Sequence, residues 1–180
     1  MKTDDITIGV CYGRFNPPHK GHREVWRVAS MCDAYFIGTN INTSGPNDPL
    51  PYDIKLKAMD IVSPNISSHV VPEKNLFTLV SHIYEQYGIN AELNICTDEE
   101  WLTNSILRNN GVLGKHGYYK FNNIKQLETP RITTSTIVRE TVKNGDREQF
   151  SKISGISPDE EIVINKQAVK IFDILGEYLT

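Results

Sequence analysis

Three cysteines in 180 residues are too few, and odd in number, for a disulfide framework. Cys11 and Cys96 lie in apolar, strand-like runs, so the sequence predicts buried free thiols in a reducing compartment, the cytoplasm. No apolar run approaches the ~20 residues that cross a bilayer, so no membrane-spanning helix is expected. The N-terminus is polar and acidic and lacks the apolar core of a signal peptide. A basic excess is also missing: 19 Lys and Arg stand against 22 Asp and Glu, a net charge of −3 with a pI near 5.9. No global field then attracts nucleic acid, and any anion site must be a local cluster. Repeats, low-complexity tracts and linkers are absent too. With 39% hydrophobic residues, the chain suits one domain over 1–180 with a real core.

What is present alternates. Residues 6–11 read as a buried strand, followed by a helix through Ala29 and a second strand over 34–38. Residues 39–51 form a polar loop rich in Asn, Ser, Gly and Pro; it either borders a site or is plain surface. Pro51 opens a helix to about Val62, which Pro64 and Asn65 stop. A short strand follows at 69–71. Asn75 caps a helix that Gly88 ends. A fourth strand over 91–96, a helix over 99–108, a Gly-rich loop over 109–117 and a fifth strand near 121–127 complete the pattern. Strand–helix alternation with short connections predicts an α/β fold. Its form is a single Rossmann-like, doubly wound parallel sheet of about five strands, with helices on both faces. Ser157-Pro158-Asp159-Glu160 reads as a capping box. Ile164, Ala168, Ile171, Leu175 and Leu179 then fall at helical spacing, which predicts a C-terminal helical tail. That stripe serves packing or a subunit contact, so a homo-oligomer stays open.

The stretch Gly13-Arg14-Phe15-Asn16-Pro17-Pro18-His19-Lys20-Gly21-His22 falls at the first strand-to-helix turn. Ligands of open parallel sheets gather at such turns, where a helix start offers free N–H groups and a positive dipole end. Gly13 and Gly21 permit close backbone approach, Pro17 and Pro18 stiffen the loop, and Arg14 and Lys20 add positive charge. His19 and His22 stand within one helical turn of each other. These features suit a polyphosphate. Two blander readings are a metal pair, for which no third ligand lies close by, and incidental surface histidines at a helix start. The Gly-Lys-Ser/Thr ending of a Walker loop is missing, and the glycine spacing does not fit a dinucleotide-binding turn.

A second informative stretch is Thr133-Thr134-Ser135-Thr136-Ile137-Val138-Arg139, which leads into a helix to about Lys143. Hydroxyls at a helix start usually cap it. With Thr136 as the cap, however, Arg139 takes the place where Glu is preferred, and four hydroxyl residues exceed what one cap needs. Hydroxyls, free N–H groups and an arginine together would bind a phosphate.

Residues 13–22 resemble the H-x-G-H signature of the nucleotidylyltransferase superfamily. Gly13-Arg14-Phe15 with a following proline is most similar to the nicotinamide-mononucleotide adenylyltransferases. Thr134, Ser135, Thr136 and Arg139 resemble the superfamily's second signature, Ile-Ser-Ser-Thr-x-x-Arg, with Thr133 where Ile is usual. Asn144-Gly145-Asp146 and Phe150 resemble a segment common in these proteins, including small phage-encoded members. The resemblance implies transfer of a nucleoside monophosphate from a nucleoside triphosphate to a small phosphorylated acceptor, releasing pyrophosphate with Mg²⁺ support. It favours ATP and nicotinamide mononucleotide giving NAD; a cytidylyltransferase, an adenylyltransferase for another acceptor, or a catalytically silent nucleotide-binding module stay open. Catalytic roles fall to His19, His22 and Arg139. Gly13, Arg14, Phe15, Asn16, Gly21, Thr134, Ser135 and Thr136 would bind the nucleotide, with no protein side chain ligating the metal. Asp98 fits a Gly-x-Asp element of related adenylyltransferases, with Cys96 in place of the glycine, and would bind the acceptor. Trp101 either stacks on the acceptor's ring or is an ordinary half-buried tryptophan. Lys55 reaches the acceptor's phosphate or is a solvated helix lysine.

Overall fold

The first apolar run forms β1 (Thr7–Tyr12), the middle of a five-stranded sheet. The computed structural model describes residues 5–43 and 45–180. Residues 1–4, on which the signal-peptide reading partly rests, and Ser44 in the polar loop lie outside the described residues. On one side of β1 runs β2 (Ala34–Thr39) and then β3 (Val70–Pro72); on the other run β4 (Glu92–Thr97) and β5 (Asn123–Glu128). All pairings are parallel, and Val10 stands opposite both Phe36 and Ile95. The order β3-β2-β1-β4-β5 reverses at β1 and β4, as a doubly wound α/β sheet does.

Strand alternation sets the two faces. Ile8 and Val10 bury their side chains in a core with Leu79, Val80 and Ile83 of α3 (Leu76–Tyr87) and Ile106 of α4 (Glu100–Arg108). Between them, Gly9 points the other way, against the backbone of Ala29 near the end of α1 (Lys20–Ala29). Helices thus cover both faces, as the alternation predicts. Asn75 caps α3 through its side chain, and Gly88, at φ 80°, closes it.

The chain makes two compact units. One holds the sheet, with residues up to 13, 24–40 and 69–130. The other holds residues 14–23, 41–68 and 131–180. The second unit contains α2 (Tyr52–Val62), α5 (Ser135–Lys143), α6 (Arg147–Ser154), β6 (Glu161–Ile164), β7 (Gln167–Lys170) and α7 (Ile171–Leu179). Phe150 and Phe172 meet edge to face at 5.2 Å, and the Arg147 guanidinium lies over the Phe172 ring.

The C-terminal segment corrects the sequence expectation of one helix from about residue 158. Residues 157–160 make a turn, with Glu160 N–H donating to Ser157 O, and do not cap a helix. Ile164 and Ala168 belong to opposite strands of an antiparallel hairpin. The β-branched run Ile162-Val163-Ile164 favours the strand. Asn165 and Lys166, at φ 50° and 66°, form the two-residue turn that a twisted hairpin demands. Only the last part of the stripe, in α7, is helical. The expected tail helix is therefore a turn, the β6–β7 hairpin and the short helix α7. Helix α6 was not anticipated, although Asp146 caps it and Gly155, at φ 75°, ends it.

A β-carbon at Gly9 would stand 2.5 Å from the Ala29 carbonyl oxygen, a backbone atom that cannot rotate away. Gly9→Ala should destabilise the fold by about 1–3 kcal/mol. The melting temperature should fall by about 2–4 °C for each kcal/mol. An unchanged melting curve would mean that the strand and helix separate freely here.

Candidate functional site

The turn after β1 is held open by one asparagine. Phe15 is 4% exposed and sits at φ 51°, a left-handed conformation that costs a bulky residue about 1–3 kcal/mol. Asn16, 1% exposed, pins this kink. Its Nδ2 donates to Arg14 O at 2.8 Å and to Asp48 Oδ1 at 2.6 Å, and its Oδ1 accepts from Leu50 N at 2.7 Å.

His19 stands just before α1. Its carbonyl accepts from Arg23 N, and its Nδ1 accepts from Gly21 N at 3.1 Å, so the imidazole serves as a helix cap. His22 Nδ1 accepts in turn from His19 N at 3.2 Å. A ring nitrogen that accepts from a backbone N–H carries no proton, so each neutral ring keeps its proton on Nε2. The rings stack at 3.7 Å, and the Phe15 ring meets His22 edge-on at 4.8 Å. Gly21 has no side chain for a reason: a β-carbon there would stand 3.0 Å from the His19 ring. Burial holds His19 down at about 4. Burial, and then the neighbouring His19, hold His22 well below the usual imidazole range. Near neutral pH both rings are therefore uncharged donors.

The second stretch begins α5. Thr134, one residue before the helix, is the N-cap, accepting from Ile137 N. One earlier hydroxyl suffices because its chain is extended, at φ −129° and ψ 151°. Ser135 and Thr136 then occupy the first helical turn without capping it. Ser135 Oγ donates to Pro17 O at 3.0 Å. Arg139, 6% exposed, donates from Nη1 to Asn16 O at 2.8 Å, and from Nη2 to Asn47 Oδ1 at 3.0 Å and Thr136 Oγ1 at 3.1 Å. The two stretches, more than a hundred residues apart in sequence, are thus bonded to each other within one unit.

Between them lies a cleft of about 270 Å³. Arg14, Phe15, Asn16 and His22 line it from the turn; Ser135, Thr136 and Arg139 line it from α5; Asn47 adds the polar loop. No carboxylate is among these side chains. Arg14 is exposed at the cleft. Burial, then the Arg14 charge, press Arg139 below its ordinary range, against a smaller opposing effect of Glu140. Two cations that repel, hydroxyls, one neutral imidazole and a helix start give the cleft a positive, donor-rich surface of the kind that suits an anion.

The other expected residues lie elsewhere. Gly13 belongs to the sheet unit, its N–H donating to Gly38 O. Asp98 is exposed just beyond β4, and Trp101 in α4 is 64% exposed; both belong to the sheet unit. That exposure overturns the half-buried reading of Trp101: the second position of α4 faces outwards. Lys55 is not a solvated lysine. It is 1% exposed, paired with the equally buried Asp48 at 3.8 Å, and does not line the cleft. Asn47 and Asp48 were missed by sequence reasoning, which singled out their loop but no residue in it.

No family model matches the sequence, and no curated protein matches it either. Solved structures do. A protein assigned as a nicotinate-nucleotide adenylyltransferase from Vibrio parahaemolyticus shares the fold with a TM-score of 0.51 and 17% identity, over 97% of this chain and 96% of that one. A bifunctional NMN adenylyltransferase/ADP ribose pyrophosphatase from Francisella tularensis, solved with AMP and a manganese ion, gives 0.57 and 17% over 97% of this chain. The present chain spans 49% of that protein's length. The chain therefore shares the fold of these two structures, both of which carry adenylyltransferase names.

The depressed histidines make stability depend on pH. An unfolded histidine titrates near ~6.5, and one held neutral in the folded chain resists protonation below that value. Its contribution is intact above ~6.5 and falls by about 1.4 kcal/mol for each pH unit below, until the folded value is reached. For His19 that value is about 4. Urea unfolding between about pH 6 and 5 should therefore show a shallower pH slope in His19→Gln, by about one proton's worth. An unchanged slope would mean that His19 titrates normally in the folded chain.

Proposed function

We propose that the chain is a nucleotidylyltransferase that transfers AMP from ATP to nicotinamide mononucleotide, forming NAD and pyrophosphate. The observation that carries this reading is the cleft itself. It joins the 14–22 turn to the start of α5, with two guanidiniums and no carboxylate on its wall. An acceptor phosphate oxygen attacks the α-phosphorus, the bond to the β-phosphate oxygen breaks, and pyrophosphate leaves with both electrons of that bond. The chain supplies position and charge, with no covalent intermediate. Neutral His22 donates from Nε2 to an α-phosphate oxygen as its charge grows, and His19 orients His22 by stacking and through its own N–H. Arg14, Arg139, Ser135 and Thr136 hold the β- and γ-phosphates. The names of the two structural neighbours support the adenylyl and nicotinamide-type assignments.

Magnesium belongs to this reading with the triphosphate. The cleft offers amide and hydroxyl oxygens, and among the described residues no cluster of three His, Cys, Asp or Glu side chains could hold an ion. This donor set fits an ion held mainly by phosphate oxygens. When bound, it neutralises phosphate charge. The manganese in the Francisella protein's complex supports a divalent ion. For the acceptor we keep Asp98 and Trp101, the latter because an exposed indole offers a stacking face. Lys55 has no part in this proposal, since its ammonium is committed inside the chain. Free thiols at Cys11, Cys32 and Cys96 support a reducing, cytoplasmic setting.

A pyrophosphate-release assay across nucleoside triphosphates and phosphorylated acceptors tests the reaction. Turnover is expected with ATP and nicotinamide mononucleotide. Turnover with CTP and not ATP would make the chain a cytidylyltransferase, and binding without turnover would make it a nucleotide-binding module. In the same assay, His22→Ala should lower turnover about a hundredfold or more while sparing nucleotide affinity, because its donor acts mainly on the transition state. Near-normal turnover in the folded variant would remove His22 from the chemistry.

Arg139→Ala should weaken ATP binding about tenfold to a hundredfold and AMP binding much less, as expected for a charge-assisted β/γ-phosphate contact. Arg139→Lys should recover part, since it keeps the charge but loses the planar fork. Calorimetry with both nucleotides reads the difference. Equal losses would mean that Arg139 is a structural tie and no phosphate ligand.

A further inference from the structure

We propose that Asp48 is a positioning residue for the phosphate cleft: by holding the Asn16 side chain, it fixes the carbonyl on which Arg139 is anchored. The inference rests on the triphosphate reading of that cleft. Four groups in one unit form a continuous polar line. Lys55 Nζ stands 3.8 Å from Asp48 Oδ1; the same oxygen accepts from Asn16 Nδ2 at 2.6 Å; Asn16 O accepts from Arg139 Nη1 at 2.8 Å. Asp48 is 0% exposed, Lys55 and Asn16 are 1% exposed, and Arg139 is 6% exposed. The residue before Asp48 reaches the same guanidinium, through Asn47 Oδ1 and Arg139 Nη2. Placing residues 47 and 48 therefore places two of the three oxygens that orient Arg139.

A buried ion pair is a poor source of stability. Desolvating two charges offsets their attraction, and apolar pairs of similar volume often do as well or better. What a carboxylate does here that an apolar side chain cannot is accept a short, charge-assisted hydrogen bond from Asn16. Lys55 sets the opposite charge 3.8 Å from that same acceptor oxygen. The rival account makes Asp48–Lys55 a plain structural pair joining the polar loop to α2, with no bearing on how phosphates are held.

Two double substitutions separate these accounts without burying a lone charge. Asp48→Asn with Lys55→Met removes both charges and keeps an acceptor for Asn16. Asp48→Leu with Lys55→Met removes both charges and the acceptor. Affinities for ATP and AMP are measured by calorimetry in each, beside wild type and Arg139→Ala, with melting curves to verify folding. The Asn/Met chain should keep the wild-type preference for ATP over AMP within about threefold, and the Leu/Met chain should lose about tenfold or more of it. Where leucine does not fit, Asp48→Ala with Lys55→Met makes the same comparison. Equal preferences in the Asn and Leu or Ala chains, with Arg139→Ala lowering the preference, would overturn this inference and leave the triphosphate reading standing. An unchanged preference in Arg139→Ala would overturn both.

Discussion

One hydrogen bond carries the arrangement of the cleft: Arg139 Nη1 to the main-chain oxygen of Asn16, at 2.8 Å. It ties the turn after the first strand to a helix that begins with Ser135. A guanidinium that is 6% exposed has lost most of its hydration and must be compensated. Its three oxygen partners belong to a backbone carbonyl, an amide and a hydroxyl. These engage three of its five N–H donors and leave its charge uncompensated. A carboxylate partner would have offset the Arg139 charge locally. With Arg14 adding a second cation nearby, the cleft carries positive charge, which the proposed triphosphate would offset.

Fixed charge and hydrogen-bond donation are divided between different residues. The guanidiniums supply the fixed charge. The histidines contribute none: burial depresses both and His19 depresses His22 further, and the positive end of α1 works in the same direction. Their tautomer is set by the backbone: Gly21 N–H and His19 N–H each occupy an Nδ1. In the proposed reaction, neutral Nε2–H donors would strengthen as charge develops on a phosphate oxygen, without the ground-state attraction a cation would add. The backbone of the turn thus decides the electrical role of both side chains.

Much of this was legible in the sequence, and the reasons differ by element. The strands are short apolar runs between turn residues, so β1, β2 and β4 emerge within a residue or so of their expected bounds. Asn75 and Gly88 mark the ends of α3 because capping is local chemistry. His19, His22, Ser135 and Arg139 stood out because their types and spacing are unusual for plain caps. The C-terminal hairpin was hidden because Ile164, Ala168 and Ile171 satisfy a helical period while residues 165–166 turn in a left-handed conformation that Asn and Lys advertise only weakly. Asp48 and Lys55 were hidden for a different reason. A carboxylate in a polar loop and an ammonium on a helix each look solvated until the chain buries them together.

Main-chain atoms anchor several of the side chains around the cleft, and this bears on how far such a sequence can drift. Asn16 O, Pro17 O, His19 N and Gly21 N hold the arginine, the serine and the two histidines. Backbone atoms are supplied by any residue that keeps the local path, so few side chains need a particular identity. Those few are set by what the path requires: a glycine where a β-carbon would strike the His19 ring, and an asparagine that bonds across the left-handed Phe15. Core positions demand only apolar volume of about the right size. A chain under these constraints can share a fold over 97% of its length with structures only 17% identical to it. Its chemistry then has to be read from the handful of side chains that the shared path brings to one cleft.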